Sequence, residues 1–344
     1  MSTNTSVQTL QSCIQQPLSQ VDKKYILERC WPNSFGAGAD DQQVTDLAAY
    51  FHHYEIVCQN RSVNDIGCLQ HCHIIEAFEI ITTSTFPQAV VTLKQAIDQL
   101  PKVFPQMRDA VEVVHQLIDL TAQALLLLDI REWRGDEDLQ TFLRSKSFPP
   151  SAQADCYRIP QALNLRNLDK IGGIKIRWTD ILSEHLALEK EERQVAIFHH
   201  RRVLGMLEES QLYPKGIMEE VKNTFAVLHP RFDRSSQKWF DNQTLRPRGR
   251  TAGSSAILDE SFAKTTSLKV AERNIRAYNF FRDRLICVKD TYDAHEPETF
   301  MQSCRDYRKP ARRWGFIIAG LLFVFGMAQV IEGAIQVYKS YHPA

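Results

Sequence analysis

From Trp314 to Ile331 the chain reads WGFIIAGLLFVFGMAQVI, an apolar run without one charged residue, and no other stretch constrains the fold as tightly. A hydrocarbon core of about 30 Å is crossed by about 20 apolar residues in a helix. Continued to Val337, a helix from Trp314 would run about 36 Å at about 1.5 Å per residue, enough to span with modest tilt. Glu332 would then lie about 27 Å along the helix from Trp314, near the far interface, where a carboxylate reaches water. The expectation is one transmembrane helix over 314–337, with membrane lipid as its partner. A buried core helix is the alternative, but soluble cores rarely need so long an uninterrupted run.

The flanks predict an orientation. Arg305, Arg308, Lys309, Arg312 and Arg313 precede the run, and Lys339 alone follows it closely, so the positive-inside rule puts the N-terminal bulk in the cytosol. Trp314 and Tyr338 stand at the two ends, where aromatic belt residues sit, and a span so near the terminus predicts tail-anchored, post-translational insertion. The N-terminal MSTNTSVQTLQSCIQQ has neither a basic nor an apolar region of the secretory kind. The eight cysteines therefore read as free thiols in a reducing compartment rather than as a disulfide framework. Acidic and basic residues balance at 41 each, which leaves no global basic field, and nucleic acid is not an expected partner.

The rest predicts a mainly α protein: a helical bundle with a minor two-stranded β element, followed by the single C-terminal transmembrane helix. Residues 1–43 are rich in Ser, Thr, Gln and Gly and read as a flexible arm with a short helix at Val21–Cys30. A helical bundle is expected over 44–150. Its first helix is capped by Thr45 or Asp46, its second runs from Asn64 or Asp65 through Ile81, its third occupies 87–101, and its fourth runs from Pro105 to about Trp133. Over 151–241 an α+β continuation is expected. Ile174–Trp178 alternates apolar and basic side chains as a half-buried strand does, and Val195–Phe198 is a second short apolar run to pair with it. Between them Thr179 or Asp180 is placed to cap a helix through Leu182, Leu186 and Leu188, and further helices are expected at 202–209 and 214–228. Residues 242–262, with LRPRGRTAGSS, read as a linker, and 263–309 as juxtamembrane helices, one from Leu268 to about Asp290 and one over 297–308.

Two blocks carry a resemblance. IGGIKIRWTDILSEHLALEKEERQVAIFHHRRVLGML at Ile171–Leu207, and FFRDRLICVKDTYDAHEPETF at Phe280–Phe300 with VIEGAIQVYKSYHP at Val330–Pro343, resemble a family of uncharacterised filamentous-fungal proteins with a helical cytosolic region and one C-terminal membrane span. The resemblance covers roughly the second half of the chain. It departs before the span, where RDYRKPARRW is shorter and more basic than the family's segment. It implies a membrane location and, by association with accessory gene clusters, effects on hyphal or colony traits. It supplies no catalytic residue.

Three constellations are candidate sites. Cys68, His71 and Cys72, with Cys58 and His73 nearby, have helical spacing for a zinc site, although no second cysteine pair at metal spacing appears and small buried thiols explain the same residues. Asp180 and Glu184 at i and i+4, with His185, His199 and His200 close in sequence, have the residue types of an acid/base or metal-hydrolase site. No Gly-x-Ser-x-Gly elbow, phosphate-binding loop or His-Glu-x-x-His supports that reading, and no cofactor is expected. Gln329, Glu332 and Gln336 recur on one face of the predicted span, where polar groups prefer a protein partner or an interface: the plain reading is a helix leaving the membrane, and the sharper alternative is self-association along this stripe. The composite expectation is a membrane-anchored interaction or scaffold protein with an unknown protein partner. The alternative is a membrane-tethered metal-dependent hydrolase using the His199/His200 region.

Overall fold

The computed structural model describes residues 12–36, 38–61, 69–83, 88, 91, 110–133, 137–152, 156–189, 193–244, 257–265, 268–294 and 310–341. Ser19 opens α1 (Gln20–Cys30) through a reciprocal capping box: its hydroxyl accepts the Asp22 amide at 3.2 Å, and the Asp22 carboxylate accepts the Ser19 amide at 2.9 Å. After the short α2 (Pro32–Phe35), Asp40 and Gln43 repeat the device at the start of α3 (Asp41–Asp46). Next come α4 (Ala48–Gln59), α5 (His71–Thr83) and α6 (Ala110–Leu125), with α6 packed against both of the others. Tyr50, Phe51, Tyr54, Ile74, Val114 and Leu117 carry their apolar faces into the core.

The apolar pattern predicts a helix continuing to about Trp133, but α6 stops at Leu125. Leu127 takes a left-handed φ of 55°, and Leu126, Leu127 and Leu128 cross the interior as irregular chain. Buried irregular backbone must find partners, and this segment does. The Leu128 amide donates to the Ala122 carbonyl at 3.0 Å, the Leu127 carbonyl accepts the Leu182 amide at 2.9 Å, and the Leu126 carbonyl accepts the Tyr213 hydroxyl. Those distant partners take the carbonyls that another helical turn would have used.

In the second half, α7 (Leu139–Phe142) runs into a π turn at Leu143–Ser147, and α8 (Leu165–Lys170) is capped by Asn164, whose side chain accepts the Asn167 amide at 2.9 Å. A three-stranded sheet follows: β1 (Lys175–Thr179), β2 (Leu188–Glu189) and β3 (Gln194–Phe198), in the order β1-β3-β2. The two expected strands do pair, and they pair parallel, with Lys175 opposite Gln194 and Thr179 opposite Phe198. Val195, Ala196, Ile197 and Phe198 are wholly buried, as suits a central strand covered on both faces. The helix expected from Thr179 or Asp180 to Leu188 does not form. Only a 3₁₀ turn at Leu182–Glu184 does, because the Leu186 amide and the Ala187 carbonyl bond Ala196 of β3 instead of their own chain.

Beyond the sheet lie α9 (Leu204–Glu209), α10 (Ile217–Leu228) and α11 (Arg234–Thr244). The helix expected from Leu268 begins only at α12 (Arg282–Ala294). Two 3₁₀ turns, Ala271–Arg273 and Ile275–Ala277, precede it, separated by Asn274, whose side chain accepts the Arg276 amide. Of the predicted helix over 87–101 only residues 88 and 91 are described, and the one over 297–308 lies outside the described residues.

One apolar cluster runs from Ile14 to Tyr292, so the segments 44–150 and 151–241 share a single core. Two expected boundaries change accordingly. The supposed arm contributes Ile14, Ile26, Leu27 and Trp31 to that core, and the far end of the supposed linker contributes Leu258 and Phe262. The sequence is polar on average there, but its few apolar side chains are the ones that pack. Standing outside the core is α13 (Pro310–Tyr341), whose segment Ile317–Tyr338 is long and apolar enough to cross a membrane and is not buried anywhere along its length.

Candidate functional site

Parallel pairing of β1 and β3 decides which polar residues meet. Asp180 leaves β1 one residue after Thr179, and His199 and His200 leave β3 directly after Phe198, so all three emerge at the same end of adjacent strands. His200 Nε2 lies 2.7 Å from Asp180 Oδ1, and His199 Nε2 lies 3.1 Å from the same oxygen. A third imidazole arrives from α4: His53 Nδ1 lies 3.3 Å from Asp180 Oδ2. Sequence reasoning missed His53, which sits far upstream on a helix that carries no motif.

The side chains around this cluster fix its polarity. His53 turns Nε2 to the Gln123 carbonyl at 2.9 Å, and His199 Nδ1 accepts the Asp259 amide at 3.3 Å. Trp178 stands edge-on to the His199 ring at 6.3 Å, and the His199 and His200 rings lie 4.1 Å apart. All four polar residues are buried, with exposures of 6% for Asp180, 5% for His53, 0% for His199 and 1% for His200. Burial works to raise the Asp180 pKa, and hydrogen bonds from His199, His200 and His53 overcome it, so the carboxylate is held well below its usual range. His200 is pushed down to about 4, first by burial and then by His199 beside it. Asp180 has no Arg or Lys within ion-pair distance among the described residues; its side-chain partners there are the three imidazoles.

Glu184 does not join the cluster. The 3₁₀ turn directs its carboxylate to the Thr179 hydroxyl at 2.6 Å and the Arg177 guanidinium at 3.0 Å, a pairing that Glu189 extends. His185 points elsewhere too: its Nδ1 accepts the Phe198 amide at 3.2 Å and its Nε2 faces the Thr224 hydroxyl at 2.8 Å. Among the described residues, clefts of about 580, 170 and 420 Å³ are lined by none of Asp180, His53, His199 or His200. A reacting group must touch its substrate, and these side chains are sealed within the core.

Of the cysteine–histidine constellation, Cys68 lies outside the described residues. The His71 ring is occupied at both nitrogens, Nδ1 by the Tyr54 hydroxyl at 3.0 Å and Nε2 by the Gln16 carbonyl at 3.2 Å. The Cys72 thiol is directed at Gln70 Oε1 at 3.5 Å, and burial pushes its pKa up, away from the thiolate a metal needs.

On α13, Trp314, Ile331 and Val337 are exposed by 62%, 54% and 58%. Gln329, Glu332 and Gln336 are exposed as well and share one helix face by their spacing. Of the residues expected to set topology, Arg305, Arg308 and Lys309 lie outside the described residues, and Arg312 and Arg313 fall in the first turn of α13. Compared with protein-family models, with curated proteins and with solved structures, the chain matches none.

Proposed function

We propose that this protein is a single-pass, tail-anchored membrane protein. Its N-terminal bulk lies in the cytosol and presents a helical interaction surface to an unknown protein partner. The observation that carries the reading is the contrast between α13 and the rest: one core gathers the apolar side chains from Ile14 to Tyr292, while Leu322, Phe323 and Phe325 stand 66%, 71% and 67% exposed on α13. A contiguous apolar surface of that extent calls for a cover, and the length of the helix matches a bilayer. Basic residues ahead of the span and the single Lys339 beyond it support the cytosolic orientation. Membership in the filamentous-fungal family, with a role in hyphal or colony traits, is part of this proposal and rests on the two resembling blocks.

The competing proposal, a metal-dependent hydrolase at His199 and His200, has its residues assembled around Asp180, but their complete burial weighs against it. Carbonate extraction of membranes, followed by protease protection of intact vesicles, tests the preferred reading. The chain should remain in the pellet, and its N-terminal bulk should be digested from the cytosolic side. Release into the carbonate supernatant would overturn it.

A further inference from the structure

A cleft of about 580 Å³ draws Arg166 from α8, Arg231 from the turn after α10 and Arg273 from the 3₁₀ turn at Ala271–Arg273. Arg29, Arg61, Arg131, Arg177 and Arg202 each meet a carboxylate elsewhere in the molecule. None of the three cleft arginines has one within ion-pair distance among the described residues. Glu272, beside Arg273 in sequence, gives its carboxylate to the Lys269 amide at 2.6 Å. Asp233 does line the cleft, but its oxygens are engaged at the start of α11, where they accept the Ser235 amide at 3.0 Å and the Ser236 hydroxyl at 2.6 Å. The result is a locally positive cleft in a chain whose charges balance overall.

Most of the donors on these arginines are uncommitted within the described fold. A guanidinium carries five N–H donors. Arg166 gives one to Asn167 Oδ1 at 3.1 Å, and Arg273 gives one to the Ile159 carbonyl at 3.4 Å. Arg231 stands over the Phe232 ring, its Cζ 5.8 Å from the centroid. The Arg166 anchor is itself held, because Asn167 is buried and its Nδ2 donates to the Ala162 carbonyl at 2.9 Å. Burial and the nearby charge of Arg158 both work against the ionised form of Arg273, a cost that a bound anion relieves.

We infer that this cleft binds the phosphate group of a phosphomonoester, with Arg166, Arg231 and Arg273 as its donors. Guanidinium forks match phosphate oxygens in pairs, which a lysine ammonium does not. Charge favours phosphate over a carboxylate ligand: three cations less the Asp233 anion leave two positive charges, and a phosphomonoester at neutral pH carries nearly two negative ones. The volume lies within the range of small-molecule sites and leaves room for more than the phosphate. Phe232, 81% exposed, lines the same cleft and offers a ring to the rest of the ligand. A soluble phosphorylated metabolite and a phosphoinositide headgroup share this chemistry. The inference does not rest on α13 lying in a membrane.

The test uses the full-length protein in detergent, in phosphate-free buffer at low salt. Calorimetric titration with inorganic phosphate and with adenosine monophosphate probes the soluble source. Mixed micelles carrying phosphatidylinositol 4-phosphate, with phosphatidylcholine micelles as the blank, probe the lipid source. At least one probe should bind saturably and more weakly as salt rises. Arg166→Gln and Arg231→Gln should each weaken that binding about tenfold or more, the effect of losing a charge-assisted hydrogen bond. The Arg231 guanidinium makes no hydrogen bond within the described fold, so Arg231→Gln should keep the unliganded thermal midpoint. Lys222→Gln, on α10 outside the cleft, should bind as the wild type does. Binding of either soluble probe in lipid-free detergent assigns a soluble ligand, and binding of the phosphoinositide micelles alone assigns a lipid headgroup. No saturable binding of any probe, or equal binding by the wild type and Arg231→Gln, would overturn the inference.

Discussion

Glu220 Oε1, on α10, accepts the backbone amide of Asn279 at 2.6 Å, and the other carboxylate oxygen takes the next two amides in turn, Phe280 at 2.9 Å and Phe281 at 3.2 Å. Three consecutive amides ahead of α12 are thus satisfied by one side chain, itself 7% exposed. Burial raises the Glu220 pKa, and the three amides offset only part of that rise. Glu220→Ala removes the acceptor and leaves buried donors without partners, a loss of about 3 kcal/mol from charge-assisted hydrogen bonds. Glu220→Gln, which keeps one carbonyl acceptor, should lose less. Urea unfolding of the two variants should show that order.

His185 sets an acid limit on stability. Its Nδ1 accepts an amide and its Nε2–H is directed at Thr224, so the ring is neutral in the fold, and burial, aided by the charge on Arg284, lowers its pKa from 6.5 to about 3. The unfolded chain takes up a proton below about pH 6.5 that the folded chain refuses, so stability is full above that pH and falls toward acid. Between pH 6 and pH 4 the slope from this residue is about 1.4 kcal/mol per pH unit. Unfolding free energies measured at pH 7, 6, 5 and 4 should fall accordingly, and His185→Asn should flatten the profile while lowering its plateau.

Gln211 carries a left-handed φ of 56°, and its side chain is exposed. A side chain in that region costs about 1 kcal/mol, and glycine tolerates it freely. Gln211→Gly should therefore stabilise by about 0.5 kcal/mol or more, the reverse of glycine's usual effect. Leu127, at φ 55° but wholly buried, should respond the other way, because Leu127→Gly gives up a core side chain worth more than the strain. Thermal midpoints moving in opposite directions would confirm the distinction.

What the sequence made readable was periodicity. The α10 segment appears as a helix because its apolar face repeats, β1 and β3 because apolar runs of strand length follow glycines or a charged loop, and α13 because 18 residues pass without a charge. Long-range backbone partners were not readable. Nothing local to Leu126–Leu128 says that Leu182 and Tyr213 take their carbonyls, so the end of α6 was misplaced. Of the buried cluster, Asp180, His199 and His200 were legible as neighbours of two predicted strands. Their true arrangement needed the parallel register, which sequence does not state, and His53 needed the packing of α4 against that end of the sheet. Glu184 misled because i, i+4 spacing implies a shared face only where a helix forms.

The stripe on α13 supplies the last prediction. Gln329, Glu332 and Gln336 lie toward the C-terminal half of Ile317–Tyr338, and side-chain amides in lipid gain about 0.6 kcal/mol or more from an interhelical hydrogen bond. If copies of the chain associate along this face, Gln329→Leu with Gln336→Leu should reduce crosslinked dimer several-fold in detergent while leaving carbonate-resistant membrane association intact. Leu322→Arg with Phe325→Arg, near the middle of the span, should act on the other property. Two central arginines add roughly 5 to 7 kcal/mol to insertion, enough to move the chain to the soluble fraction. Crosslinking that survives the glutamine changes would show that lipid alone covers the stripe, and a membrane-bound arginine variant would show that the core body, not α13, holds the protein there.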